Sequence, residues 1–364
     1  MIPAESLPRK SRLAALLDHF ADVEDPRDVR RILHPLPEVL FLVVCGSIAD
    51  CDDYEDIAGW GAAHLDFLRR HLPYGNGVPG ERWLTILMNR INPALFADAF
   101  AAWVRASWPE KAPLVAIDGK TSRRSHDRAQ GVAPLHLVSA FATTARLVLA
   151  AEAVPDKASE LAAIPPLLER LGADDGLKGA LVSIDAVATN AEVEAAFAEA
   201  ARAKGDALET YADLDKGHGR IEERRAAVLR DTGWLQGDRR FPGELRLPGA
   251  ACLVRAQTRV EARGATRTET RYFISSRALS AADAAAAIRD HWAIENRLHW
   301  VLDVTFADDH SRLRRGHGAR NMATVRHFAL NLVRGIADKR SIKSRRKVAG
   351  WDPNYLDAIL SAFP

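Results

Sequence analysis

Residues 112–119 read APLVAIDG and residues 135–154 read LHLVSAFATTARLVLAAEAV. The first is a short apolar run ending in an acid, which predicts a buried strand closed by Asp118. The second has two apolar arms about Thr143, Thr144, Ala145 and Arg146, the pattern of a β-hairpin. Residues 160–172, ELAAIPPLLERLG, predict a helix kinked or restarted at Pro165 and Pro166. Residues 178–186, KGALVSIDA, then repeat the apolar strand ending in an acid, here Asp185.

This order predicts three antiparallel strands, a crossover helix and a fourth strand returned beside the first. That is an α/β, RNase H-like mixed sheet. Upstream, residues 1–108 read as an all-α N-terminal domain. SRLAALLDHF has helical apolar spacing, and VLFLVVCGSI (39–48) is apolar nearly all round, as a buried helix is. Asn92 before Pro93 marks a helix start. Downstream, TNAEVEAAFAEAARAKG is helical and alternating stretches make a β-rich insertion at about 207–277. Residues 279–304 predict one long final helix, announced by Ser280 with Asp283 three on. The α/β domain is expected over 109–337, and 338–364 as a basic C-terminal tail.

Composition sets outer bounds. The chain has 364 residues, 48% hydrophobic and 27% charged. Its longest apolar run falls far short of the roughly 18 residues of a membrane span. Three cysteines without a CxxC pair support neither a disulfide framework nor a zinc ribbon, and no cationic leader is expected, so a reducing cytoplasm fits. Net charge is only +2. Basic residues nevertheless cluster in SRLRRGHGAR (311–320) and DKRSIKSRRK (338–347), which points to a DNA-facing surface against the ordinary reading of a solvated face.

Acids at the carboxyl ends of two neighbouring parallel strands would emerge at the edge where open α/β sheets bind ligands. An Asp after a strand is also a common turn or cap residue, so the residues alone leave both readings open. HWAIENRLHW (291–300) adds a third acid, Glu295, flanked by His291 and His299 at spacings of four. Three carboxylates suit Mg²⁺ or Mn²⁺, and a two-ion site suits phosphodiester chemistry. A self-contained zinc or di-metal helix is the competing reading, but neither H-E-x-x-H nor E-x-x-H occurs there. Trp292, Trp300, Leu298 and Val301 read as core and His299 as a satisfied helix histidine. Asp303, Asp308 and Asp309 follow closely enough to be mistaken for the third acid.

AIDGKTSRRS, LHLVSAFATTARLVL, DKGHGRIEERR and the stretch HWAIENRLHWVLDVTFADDHSRLRRGHGARNMATVRHFALNLVR together resemble the ISAs-type, H-repeat-associated insertion-sequence transposases. LDHFADVEDPRD, CDDYEDIAGWG and NGVPGERW resemble that family's helical N-terminal region, and RKVAGWDPNYL its C-terminal end. The resemblance implies a DDE enzyme that cuts and rejoins DNA, with Asp118, Asp185 and Glu295 as the catalytic triad holding Mg²⁺ or Mn²⁺, two ions. It implies double-stranded DNA as partner, a homo-oligomer on DNA, and a nucleoid location. Lys120, Arg123, Lys216, His218, Arg220, His291, Arg312, Arg314 and Arg315 become the candidates for holding DNA, with Lys216, His218 and Arg220 in the family's DKGHGR motif. The broader signature's Tyr, Arg and Lys around the Glu are replaced here by Ile288, His291 and Leu302. The chain also passes from Gly205-Asp206 almost directly to DKGHGR, where the family carries a further strand and helix. An internal deletion near 205–212 is therefore expected, exposing apolar surface and impairing activity. The alternative is a catalytically dead or domesticated DNA-binding protein of the same fold.

Overall fold

A computed structural model of the chain describes residues 11–127, 130–173, 176–184, 191–203, 208–217, 220–238, 249–262 and 265–362. Helices α1 (Arg12–Ala21), α2 (Leu36–Ile48), α3 (Tyr54–Ala63), α4 (Leu65–Leu68), α5 (Glu81–Met88) and α6 (Pro93–Ser107) come first. Strands β1 (Leu114–Thr121), β2 (His136–Ala142) and β3 (Leu147–Val154) precede helix α7 (Glu160–Gly172). Next come β4 (Leu181–Ile184), α8 (Ala191–Arg202), β5 (Leu208–Gly217), β6 (Arg220–Leu229), β7 (Cys252–Ala262) and β8 (Ala265–Ser275). Helices α9 (Ala281–His291), α10 (Trp300–Thr305), α11 (Gly318–Gly335), α12 (Ile342–Trp351) and α13 (Pro353–Ser361) complete this mixed α/β chain. It forms two compact units: unit 2 is Leu181–Ala293, and unit 1 is the chain on either side.

Unit 1 is built on two buried helices and an antiparallel sheet in which β2 pairs with both β1 and β3. In α2 every residue from Val39 to Cys45 is fully buried, which explains its lack of a polar face. Helix α11 is buried from Asn321 to Val333. Its Phe328 meets Phe20, Phe96, Phe100 and Trp103, with ring centroids 4.9–5.7 Å apart. The N-terminal helices and α11 thus share one core, each buried aromatic adding about 2–3 kcal/mol. Polar residues of α11 complete other elements. Asn331 donates to the Val148 carbonyl at 2.8 Å and accepts from its N–H at 3.0 Å. Asn321 donates to the carbonyls of Met88 and Ile91, closing the C-terminus of α5.

Several expectations change in unit 1. Strand β1 does not end at Asp118: it runs on to Thr121, with Lys120 opposite Leu137 and Thr121 opposite His136. Residues 160–172 form one helix despite Pro165 and Pro166. The expected basic tail is instead the packed pair α12 and α13. Arg346 is fully buried, stacks over Phe306 at 4.2 Å, and pairs with Asp50 and Asp52 at 3.1 Å. Arg345 donates to the Val333 carbonyl and pairs with Asp338 at 2.8 Å. Neither arginine is available to DNA. Trp300, expected in the core, is 57% exposed.

In unit 2, β5–β8 form an antiparallel sheet in sequence order. Val193 and Phe197 of α8 pack with Ala227, Leu229 and Leu253, while Ala281 and Ala284 of α9 pack with Val228 and Val254. Consecutive strand residues alternate faces, so α8 and α9 cover opposite sides of the sheet. The apolar face of α8 is therefore covered, with Phe197 fully buried. The long helix expected over 279–304 is interrupted. Helix α9 is capped at Trp292, itself 39% exposed, and Glu295–His299 form a π turn.

Candidate active site and metal centre

The candidate site lies within unit 1, where β1 faces the π turn, α10 and the short 3-10 turn Asp308–His310. Because side chains alternate along a strand, Asp118 and Lys120 share one face of β1. Glu295, His299 and Asp303 stand four apart along the facing segment. Nδ1 of His299 lies 3.6 Å from Oδ2 of Asp118 and 3.5 Å from Oε2 of Glu295. One donor atom from each of the three falls within 4.8 Å of the others, so this group could hold a metal ion. Burial is graded: the His299 side chain is 6% exposed, Asp118 16% and Glu295 65%. The site thus has a buried floor and an open lip. Asp118 is oriented from its own strand, Oδ1 accepting from the Gly119 N–H at 2.8 Å.

Directly beside it runs a buried ion cluster. Lys120 Nζ lies 2.7 Å from both Asp303 and Asp308. Asp308 also accepts from Ser122 Oγ at 2.7 Å and from Arg326 Nη1 at 2.6 Å. Burial alone would raise the Asp308 carboxyl, but Arg326 and Lys120 outweigh it and hold it at about 2. Burial likewise opposes the Lys120 charge, yet Asp308 and Asp303 keep its pKa raised. Asp303 sits above the ordinary carboxylate range through burial, against the pull of Lys120. The residue before Asp308, Ala307, has φ +49°, a left-handed conformation costing a non-glycine residue about 1 kcal/mol or more. That turn aims Asp308 inward.

The opposite face of β1 is held separately. Thr121 Oγ1 and His136 Nδ1 are 2.7 Å apart, and His136 Nε2 and Glu160 Oε1 are also 2.7 Å apart. These contacts cross Gly119, where an added Cβ would lie 2.1 Å from Glu160 Oε1.

Of the residues expected from sequence, Asp118 and Glu295 are brought together. Asp185 lies outside the described residues, one position beyond the end of β4, and His218 lies outside them too. Arg220 opens β6, and Lys216 is exposed on β5. Arg123 is 82% exposed, 3.4 Å from Asp309. Arg312, Arg314 and Arg315 are exposed, Arg314 donating to the Arg124 carbonyl at 3.1 Å. Two of the candidates lie in the interior. Lys120 is paired there with Asp303 and Asp308. His291 is 5% exposed, and its Nδ1 is 2.9 Å from Ser183 Oγ within unit 2, so it is an interior side chain. The residue passed over was His299, though its spacing of four from Glu295 was the signal for it.

Two family models match the chain: DDE_Tnp_1-associated over residues 17–104 and the transposase DDE domain over residues 109–332. YhhI of Escherichia coli K12, named as an H repeat-associated transposase, is 31% identical, covering 96% of this chain and 98% of its own length. YncI of Escherichia coli O157:H7, also named as a transposase, is 30% identical over 96% of this chain and 95% of its own. A piggyBac transposase synaptic complex with hairpin DNA aligns at a TM-score of 0.36 and 8% identity.

Proposed function

The chain belongs to the family of DDE-domain transposases, and from that premise we propose that it cuts DNA at insertion-sequence ends and joins the freed 3′-hydroxyl to target DNA. Asp118, Asp185 and Glu295 are the catalytic, metal-binding acids of an RNase H-like core, and two Mg²⁺ or Mn²⁺ ions are the cofactors. The observation that carries this reading is the convergence of Asp118 and Glu295, 177 positions apart in sequence, on donor atoms within 4.8 Å. The donor set fits a divalent cation: two carboxylates, together with a buried imidazole whose Nδ1 faces both. Divalent ions at such a site supply Lewis-acid polarisation of the phosphate and a water more easily deprotonated.

The chain's own residues do the rest. Asp118 is fixed by β1 and its bond to Gly119, and Glu295 reaches from the exposed lip towards the DNA side. Asp185, just after β4, supplies the third carboxylate. No protein nucleophile is required, since water and then the 3′-hydroxyl attack phosphorus. The exposed Arg123, Arg312, Arg314 and Arg315 of unit 1 hold phosphates, joined by Lys216, His218 and Arg220 of unit 2. The protein acts as a homo-oligomer on double-stranded DNA in the bacterial nucleoid. No helix among the described residues is long and apolar enough to cross a membrane.

The test is cleavage of DNA carrying the element's ends. Asp118→Asn, Asp185→Asn and Glu295→Gln should each abolish Mn²⁺-dependent nicking and leave DNA binding intact. Nicking that survives any one of them removes that residue from the triad. A second reading, DNA binding without chemistry, draws on the short passage from α8, ending at Arg202, to β5, beginning at Leu208. An internal deletion there would displace Asp185. Salt-dependent binding with no nicking by the unaltered chain is its signature.

A further inference from the structure

We infer that His299 is a metal ligand in its own right: its Nδ1, with carboxylate oxygens of Asp118 and Glu295, forms a mixed nitrogen–oxygen site that favours a transition-metal ion over Mg²⁺. The inference rests on the proposed metal-dependent function and adds to its three acids a ligand of another chemical kind.

Three observations lead to it. First, the imidazole is buried with its Nδ1 turned towards Asp118 and Glu295. Its Nδ1 stands 3.5 Å and 3.6 Å from the two nearest carboxylate oxygens, beyond the 2.7–3.2 Å of an N–H···O bond. A buried polar ring held this way is poorly compensated for its lost hydration. A histidine kept in the interior only for structure would have a partner, as His136 does with Thr121 and Glu160. Second, those separations suit ligands of one ion: bonds of about 2.1 Å set neighbouring donors about 3–3.5 Å apart. Third, His299 closes the π turn that begins at Glu295, a local departure from the α-helix of the kind that recurs at functional sites.

Chemistry then sets the preference. Mg²⁺ is a hard ion that takes oxygen ligands and holds its waters, whereas imidazole suits transition-metal ions. Mn²⁺ is the practical probe, since it accepts both ligand types and is paramagnetic.

The experiment uses the full chain, freed of metal and then given Mn²⁺ alone, read by pulsed electron paramagnetic resonance. The unaltered protein should show ¹⁴N modulation from one imidazole, replaced by a ¹⁵N pattern when the histidines are ¹⁵N-labelled. His299→Asn should lose the modulation and bind Mn²⁺ about tenfold or more weakly. His299→Asp, an all-oxygen variant, should still bind Mn²⁺ without modulation and narrow the Mn²⁺-over-Mg²⁺ preference in competition. Modulation absent from the unaltered protein, or persisting in His299→Asn, overturns the inference, as does a failure to bind Mn²⁺ at millimolar concentration. Mn²⁺ binding that Asp118→Asn abolishes, without imidazole modulation in the unaltered protein, defeats the role of His299 and leaves the proposed function standing. Mn²⁺ binding indifferent to Asp118→Asn defeats both.

Discussion

Asp308 Oδ1 lies 2.6 Å from Nη1 of Arg326, and both side chains are almost fully buried. Its other oxygen takes Lys120 and Ser122, so one carboxylate ties α11 to the strand that carries Asp118. Removing it leaves the buried Arg326 without its carboxylate and Lys120 with Asp303, a change that costs about 3–5 kcal/mol. Asp308→Ala should lower the urea midpoint accordingly. Asp309→Ala, at the more exposed Arg123 pair, should cost under about 1 kcal/mol. Equal losses in the two variants would show that the cluster does not hold the strand.

His327 is fully buried in the same unit, and burial, more than any neighbouring charge, pushes its imidazole down to about 4 from 6.5. The unfolded chain therefore binds this proton more readily than the folded one between those two values. Stability attributable to His327 is complete above pH 6.5 and is lost as pH falls towards 4, roughly 2 kcal/mol of it by pH 5. Denaturant titrations at pH 7.5 and pH 5 should show that loss, and His327→Gln should shrink the difference. An unchanged difference would assign the acid sensitivity to other groups.

Gly119 has no Cβ because Glu160 and His136 occupy the space where one would lie. Gly119→Ala should break the His136–Glu160 contact and destabilise by about 1–3 kcal/mol. Because the clash is with the end of a side chain, Glu160→Ala in the same chain should recover part of that stability. A double-mutant cycle in urea measures this coupling, and strictly additive effects would contradict it.

The two basic clusters should separate cleanly in DNA binding. Arg312→Ala, Arg314→Ala and Arg315→Ala should each weaken binding and reduce the slope of log affinity against log salt by about 0.9 for every phosphate left without its arginine. Arg346→Ala should instead unfold the chain at lower denaturant, since its guanidinium satisfies Asp50, Asp52 and the Ser47 carbonyl. An Arg346→Ala variant of unaltered stability and reduced slope would return that residue to the DNA surface.

What the sequence determined by itself was local. Apolar runs about Asp118 and the Thr143–Arg146 turn specified strand and hairpin, because a period of two along the backbone follows from strand geometry alone. The spacing of Glu295 from His299 also marked one helical stripe, although a π turn replaces the α-helix there. Partnership was not legible. Lys120 and Asp308 are 188 positions apart, and only folding pairs them in the interior. The same reason separates Arg345 and Arg346 from the exposed Lys343 and Lys347 in one basic run: a helix points neighbouring residues in different directions, and only the packing of α12 decides which direction is inward. His299, likewise, has no distinguishing mark in the sequence beyond its spacing. The tertiary structure buries it 3.6 Å from a carboxylate on a strand.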